Sequence, residues 1–336
     1  MTRDGAGAFL RGWWGRLTHT LAVLLRVMVP IFLLISLLEA SGWIEEAGRW
    51  LGAPLALVGI GPRAAIALLV GAFAGLYAAI GSMASLGLTP AEALPVALFL
   101  QFAHALPMEA AVAHQGGVSG WRHAAARVAM GVVAAAAAPL LAPLARLGEG
   151  GAAGDVAATE AAGVATAGAV APATPAVQGF GPVLLHSLGA LGETLLLLVA
   201  ILAPLTLLIQ LLEHSGWLER WSIATTPWMR RVGWTGEAAF PLLTGLFLGL
   251  IYGAGVMIER FQRGKLNRRE GWELFLFLGA CHSILEDPFI FTVSGVGPGA
   301  LLPTRILAGL LVLLGLGWKR RGQSRSAAGY AQVSGG

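Results

Sequence analysis

The sequence predicts an all-α integral membrane protein made of two tandem copies of one unit. Three observations carry the prediction. First, 56% of the 336 residues are hydrophobic and only 12% are charged, against about 25% charged in soluble domains. With a mean hydropathy of +0.73, the chain has too few charges to cover a water-facing surface. Second, "LLEASGWIEE" at Leu37–Glu46 returns as "LLEHSGWLER" at Leu211–Arg220, an offset of 174 residues from Glu39 to Glu213. Third, the matches continue past that motif, so the duplication covers a unit and not a single helix end.

Within each copy the same elements follow in order. A long apolar run with an internal proline opens it, Leu21–Leu38 with Pro30 and Leu195–Leu212 with Pro204. The first run has the flavour of a signal peptide. Its counterpart in mid-chain could not be cleaved, so a first membrane helix is the expected reading. A tryptophan-rich, partly charged segment comes next, Trp43–Arg63 and Trp217–Glu237, suited to the membrane–water interface. Then come glycine-striped helices, Ala64–Leu86 and Ala238–Ile258. "GAFAGLYAAIGSM" lies over "GLFLGLIYGAGVM" there, still at 174, and small residues four apart let helices approach closely. A longer basic loop, "ERFQRGKLNRRE", shifts the offset to 178, at which "LFLQFAHALPME" lies over "LFLGACHSILED". These third helices, Ala91–Leu106 and Gly271–Leu285, carry a histidine each. Apolar runs at Ala124–Leu147 and Leu301–Trp318 close the copies. About eight transmembrane helices result, with broken or re-entrant segments.

The expected organisation is a first half with its N-terminal arm at 1–147, a low-complexity Ala/Gly/Thr/Pro linker at 148–180, a second half at 181–321 and a disordered tail at 322–336. The densest basic stretches, "RFQRGKLNRR" and "WKRRGQSR", belong on the cytoplasmic side, as do both termini. Four spans per half make the repeats parallel; a crossing interfacial segment makes them inverted. Heavy use of arginine and alanine suits a GC-rich bacterial genome, hence a bacterial inner membrane.

Several classes are excluded. The net charge of +4 comes from arginines clustered between apolar runs, so nucleic acid is not an expected partner. One cysteine, Cys281, permits no internal disulfide. There is no phosphate loop, no His-Glu-x-x-His and no Gly-x-Ser-x-Gly, so no enzyme activity is expected.

Ionisable residues inside apolar runs are costly and tend to face a cavity or a ligand. "CHSILEDP" places His282 and Glu286 four apart on one helix face, with Asp287 before Pro288 at a helix end. "QFAHALPME" offers Gln101, His104 and Glu109 after Pro107. A broken helix with a histidine and a carboxylate, made twice, forms a polar pocket. His104, Glu109, His282 and Asp287 can ligate a divalent metal; the same groups can hold a coupling ion or bind a polar solute. Helix-end chemistry in the headgroup layer is the bland alternative. Glu39 and Glu213 are further candidates, as gate carboxylates or as the polar ends of spans. Glu193 suits a helix N-terminus, and Arg26 either snorkels or pairs with an acid such as Glu193. Tyr77 and Tyr252 read as packing residues first.

The doubled "LLE-x-SGW", the glycine-striped helix after it and the "HS-x-x-ED-P" ending resemble the nucleoside-recognition, or Gate, domain. That domain occurs in concentrative nucleoside transporters, ferrous-iron permease GTPases and spore-maturation membrane proteins. The resemblance covers roughly Leu21–Ala113 and Leu195–Val296. It implies a permease for a small polar solute or ion, nucleoside-like or a divalent metal, with its site between the repeats. The alternative it implies is a non-transporting membrane scaffold acting through a partner protein or a homo-oligomer, working through loops such as Arg260–Arg269.

Overall fold

Proline and glycine divide the apolar runs into shorter helices than their composition suggests, and those divisions set the architecture. In the computed structural model, residues 3–43, 46, 50, 54–145 and 180–333 are described. Among them every regular element is helical. The linker expected at 148–180 lies outside them except for Phe180.

In chain order the α-helices are α1 (Arg3–Ala40), α2 (Pro62–Ala74), α3 (Leu76–Ser85), α4 (Pro90–Ala103), α5 (Leu106–Gln115), α6 (Gly120–Ala136) and α7 (Ala138–Ala145). After the linker come α8 (Phe180–His214), α9 (Trp217–Arg231), α10 (Ala239–Leu248), α11 (Leu250–Gln262), α12 (Arg268–Cys281), α13 (Glu286–Ile290) and α14 (Pro298–Val333). Helix α14 continues to Val333, into the segment expected as tail. Glu193 lies inside α8 and does not open it. Arg26 and Glu193 are both exposed.

Five helical stretches among the described residues are long and apolar enough to cross a membrane, and α6–α7, bent by 70°, makes a sixth. Eight is reached only by also counting α2–α3 and α10–α11 as one span each. Those two pairs are where the sequence reading expected continuous glycine-striped helices. Instead each breaks at a glycine: Gly75 has φ 103 and ψ 177, and Gly249 has φ 98 and ψ 162. That region of backbone space is essentially open to glycine alone. Both glycines are equivalent at the 174 offset, so the breaks belong to the repeated unit.

Starts are repeated as closely as breaks. Thr89 caps α4 with Glu92 in a reciprocal capping box, and Asn267 caps α12 with Glu270 in the same way. Both pairs sit at the 178 offset. Each box satisfies two backbone donors that a helix start otherwise leaves open.

The chain forms two compact units that do not follow the two repeats. Unit 1 comprises Met1–Pro107, Val128–His214 and Leu285–Pro303; unit 2 comprises Met108–Arg127, Ser215–Ile284 and Thr304–Gly336. Each unit therefore holds one copy's glycine-broken helix with its histidine helix, plus the segment following the other copy's histidine break.

In unit 1, α1 packs on α8, its own counterpart in the repeat, and on α3. Phe32 and Met28 of α1 are fully buried and cover Gly81, a close packing of large side chains on a small residue of the kind that holds helices together within lipid. Trp13 donates to the Thr206 hydroxyl at 3.1 Å, and Arg16 meets Glu213 at 2.5 Å. In unit 2, α10 packs on α9 and α11, over a core including Leu242, Met257, Phe275 and Leu278.

Candidate functional site

The two histidine helices end in the same way. Helix α4 stops at Ala103 and His104 takes an extended conformation; α12 stops at Cys281 and His282 does the same. The next residue turns left-handed in each copy, Ala105 at φ 47 and Ser283 at φ 46, the only non-glycine positive φ values among the described residues. Both breaks lie inside the candidate spans Pro90–Gln115 and Arg268–Ser294. The prolines do not end these helices. Pro107 and Pro288 sit in the first turn of α5 and α13, where a missing N–H costs nothing. His282 and Glu286 thus do not share a helix face; the helix has ended before His282, and Glu286 starts the next one.

A break within an apolar span leaves backbone groups that must be satisfied by protein. The neighbouring glycine helix does this. In unit 1 the Ala105 N–H donates to the Gly71 carbonyl at 3.1 Å. In unit 2 the Ser283 N–H donates to the Gly245 carbonyl at 3.3 Å, and the Ile284 N–H donates to the Leu246 carbonyl at 2.9 Å. Gly71 and Gly245 permit this approach: a Cβ there would lie 2.5 Å from Leu100 Cδ1 or 2.6 Å from Leu278 Cδ1. Each unit therefore contains a crossing of two interrupted helices, built on equivalent residues.

The histidine rings are held identically. His104 Nδ1 lies 2.8 Å from the Leu100 carbonyl, and His282 Nδ1 lies 2.8 Å from the Leu278 carbonyl. A carbonyl only accepts, so Nδ1 carries the proton, and a neutral ring then presents Nε2 as an acceptor or ligand atom. Both histidines are buried.

Around the unit 1 crossing stand Gln101, Asp287, Glu286 and Tyr77. Gln101 and Asp287 are buried, and the Tyr77 hydroxyl donates to Glu286 at 2.6 Å. His104 and Asp287 lie within electrostatic reach of the Glu286 carboxylate. Tyr77 is thus a polar partner and not only a packing residue. The side chain of Tyr252 lies outside the described residues.

Around the unit 2 crossing stand Glu109 and three basic residues that the sequence reading did not select. Arg127 meets Glu109 at 2.5 Å, with side chains 1% and 5% exposed. His282 Nε2 lies 3.7 Å from the other Glu109 oxygen. Arg305 donates to the His282 carbonyl, which the end of α12 has left without a helical partner. His123 is fully buried edge-on to Phe275, and neither ring nitrogen has a hydrogen-bond partner among the described residues. Arg127 and Arg305 were detectable in the sequence: they sit at the 178 offset, and Gly131 and Gly309 extend the match. Each copy thus runs histidine, carboxylate, arginine: His104, Glu109, Arg127 and His282, Asp287, Arg305.

The remaining candidates stand apart from the crossings. Glu213 is paired with Arg16 on the α1–α8 contact. The side chain of Glu39 lies outside the described residues.

Duplicated interrupted helices, buried ionisable groups at the interruptions and several long apolar spans define a multi-pass, all-helical membrane protein of the transporter-like kind. Residues 21–119 and 195–296 each match the Gate family, described as nucleoside recognition, and the chain belongs to that family. It is 31% identical over 297 residues to YvoD of Bacillus subtilis (strain 168), an uncharacterized membrane protein, covering 88% of this chain and 90% of that one. No solved structure matches.

Proposed function

We propose that this protein is a permease for a small polar solute or ion, not an enzyme, and that the helix crossings are where the cargo is handled. One observation carries the reading: each copy interrupts an apolar helix at a buried histidine and anchors that ring through Nδ1 to the carbonyl four residues back. Interrupted backbone inside an apolar span supports ligand binding because its polar groups can replace water around a desolvated solute. A backbone-anchored Nδ1 also favours a divalent cation as cargo, since ligating histidines commonly donate their second nitrogen to a carbonyl. His104 with Asp287 and Glu286, and His282 with Glu109, are the groups we assign to it. The Gate description favours a nucleoside-like solute, with Gln101 and Tyr77 as hydrogen-bonding groups. The bacterial inner membrane, with both termini cytoplasmic, is the setting this reading takes.

The basic loop weighs against a scaffold acting through it. Arg260 and Lys265 meet Glu237, Arg263 meets Glu259 and Arg269 meets Glu273, all inside unit 2. Four of its five cations are engaged within the chain, leaving exposed Arg268 as the one with no ion pair among the described residues.

The test is uptake into proteoliposomes of a panel of nucleosides and divalent metals. Wild type runs beside His104→Gln and His282→Gln, each checked for an unchanged melting temperature. Flux of one cargo class, reduced at least roughly tenfold by either variant, is the expected result, being the loss of one desolvated polar contact or ligand. Wild-type flux in both folded variants overturns the assignment.

A further inference from the structure

Helix α9 carries a surface that the permease reading does not use. Leu218 and Met229 are buried and anchor it to its own unit. On another stripe Trp217, Trp221 and Trp228 are exposed, at spacings of four and seven that align on one helical face. Trp217 and Trp221 stack at 4.5 Å, and the Arg231 guanidinium lies 4.7 Å from the Trp228 ring centroid. Arg220 and Arg230 are exposed on the same helix, against a single acid, Glu219.

Exposed indoles beside guanidiniums suit the depth where acyl chains meet headgroups, because an indole is apolar in body with a polar N–H. A guanidinium stacked on an indole is held in place and presents a planar fork that matches a phosphate bidentately. Arg230 and Arg231 also sit in the last turn, where the helix dipole favours positive charge. A protein partner would call for a packed apolar patch; a stripe of indoles edged by positively charged neighbours complements a layer of phosphates. We propose that α9 lies in the headgroup layer and binds anionic phospholipid, its indoles at the acyl boundary and Arg220, Arg230 and Arg231 on lipid phosphates.

Native mass spectrometry of the full-length protein in detergent tests this, with dioleoyl phosphatidylglycerol or dioleoyl phosphatidylcholine added. Wild type is expected to retain the anionic phosphatidylglycerol preferentially and to release it as salt rises. R220Q/R230Q/R231Q is expected to retain roughly tenfold less or lower, from loss of three charges near an anionic surface, while R220K/R230K/R231K keeps most of it. Equal retention of the two lipids, salt-independent retention by wild type, or full retention by the glutamine variant overturns the proposal. So does displacement of the lipid by equimolar inorganic phosphate, or a dimer mass with no lipid preference, which would give the face to a second copy. Should the glutamine variant unfold, the lysine variant and the wild-type salt series still decide.

Discussion

Arg127 closes to 2.5 Å on Glu109 while both side chains are almost wholly withdrawn from solvent. Two charges so placed hold each other against a desolvation cost that neither could bear alone. The pair joins the start of one helix to another within unit 2 and puts a carboxylate 3.7 Å from the His282 ring. It neutralises the carboxylate that follows the first histidine break.

The first prediction is that removing either partner alone is severe and removing both is milder. Glu109→Gln or Arg127→Met is expected to lower stability by about 3–5 kcal/mol, since each strands a buried charge. Glu109→Leu with Arg127→Met should cost less than the worse single change. Thermal unfolding of the purified protein in detergent reads all three. Additive losses would show that the two charges do not depend on each other.

A second prediction concerns the glycine breaks. Gly75→Ala and Gly249→Ala force a Cβ onto backbone at φ 103 and φ 98, at about 1–3 kcal/mol each. Gly249→Ala should be the worse of the two: its Cβ would sit 2.8 Å from Ser283 Oγ, against 3.7 Å from Ala105 Cβ at Gly75. Gly255→Ala, inside α11 with nothing within 4 Å, is the matched control. It is expected to hold or raise stability by about 0.5–1 kcal/mol. Equal melting temperatures for all three variants would show that α2–α3 and α10–α11 tolerate a continuous helix.

Much of this architecture was legible because it was written twice. The doubled motif, the two offsets and the paired histidines identify the repeat, the family and the interrupted helices, since periodic apolar runs and intramembrane charges are strong signals. What stayed hidden depends on backbone conformation. Gly75 and Gly249 read as a helix-packing stripe because a glycine in an apolar run signals close approach and a break equally well. Pro107 and Pro288 drew the helix ends several residues too late, since proline opens a helix as readily as it ends one. Arg127 and Arg305 obey the offset and lie within the closing apolar runs, but neither has an acidic neighbour in sequence to mark it as part of a site. A buried guanidinium and an exposed one look the same in sequence until a partner such as Glu109 is placed.

The last prediction follows Arg305, the counterpart of Arg127. Its guanidinium donates to the His282 carbonyl, one of the acceptors that the end of α12 releases into the protein interior. Both residues are buried, at 0% and 2% exposure, so water cannot readily replace the donor, and a buried acceptor left open costs about 1–3 kcal/mol. Arg305→Met keeps the aliphatic stem and removes the donor. The break around Ser283 should then open more often. Hydrogen exchange of peptides covering Leu278–Ile290 should quicken, by roughly tenfold for each 1.4 kcal/mol lost locally, while peptides from α9 keep their wild-type rates. Arg305→Lys supplies a charge but not the reach of the fork, and is expected to fall between the two. If exchange quickens equally across unit 2, Arg305 supports the unit as a whole; if it does not change, the break is held by the Ser283 and Ile284 backbone bonds to Gly245 and Leu246 without it. Only acceleration confined to the break identifies Arg305 as the residue that keeps the interrupted helix in shape.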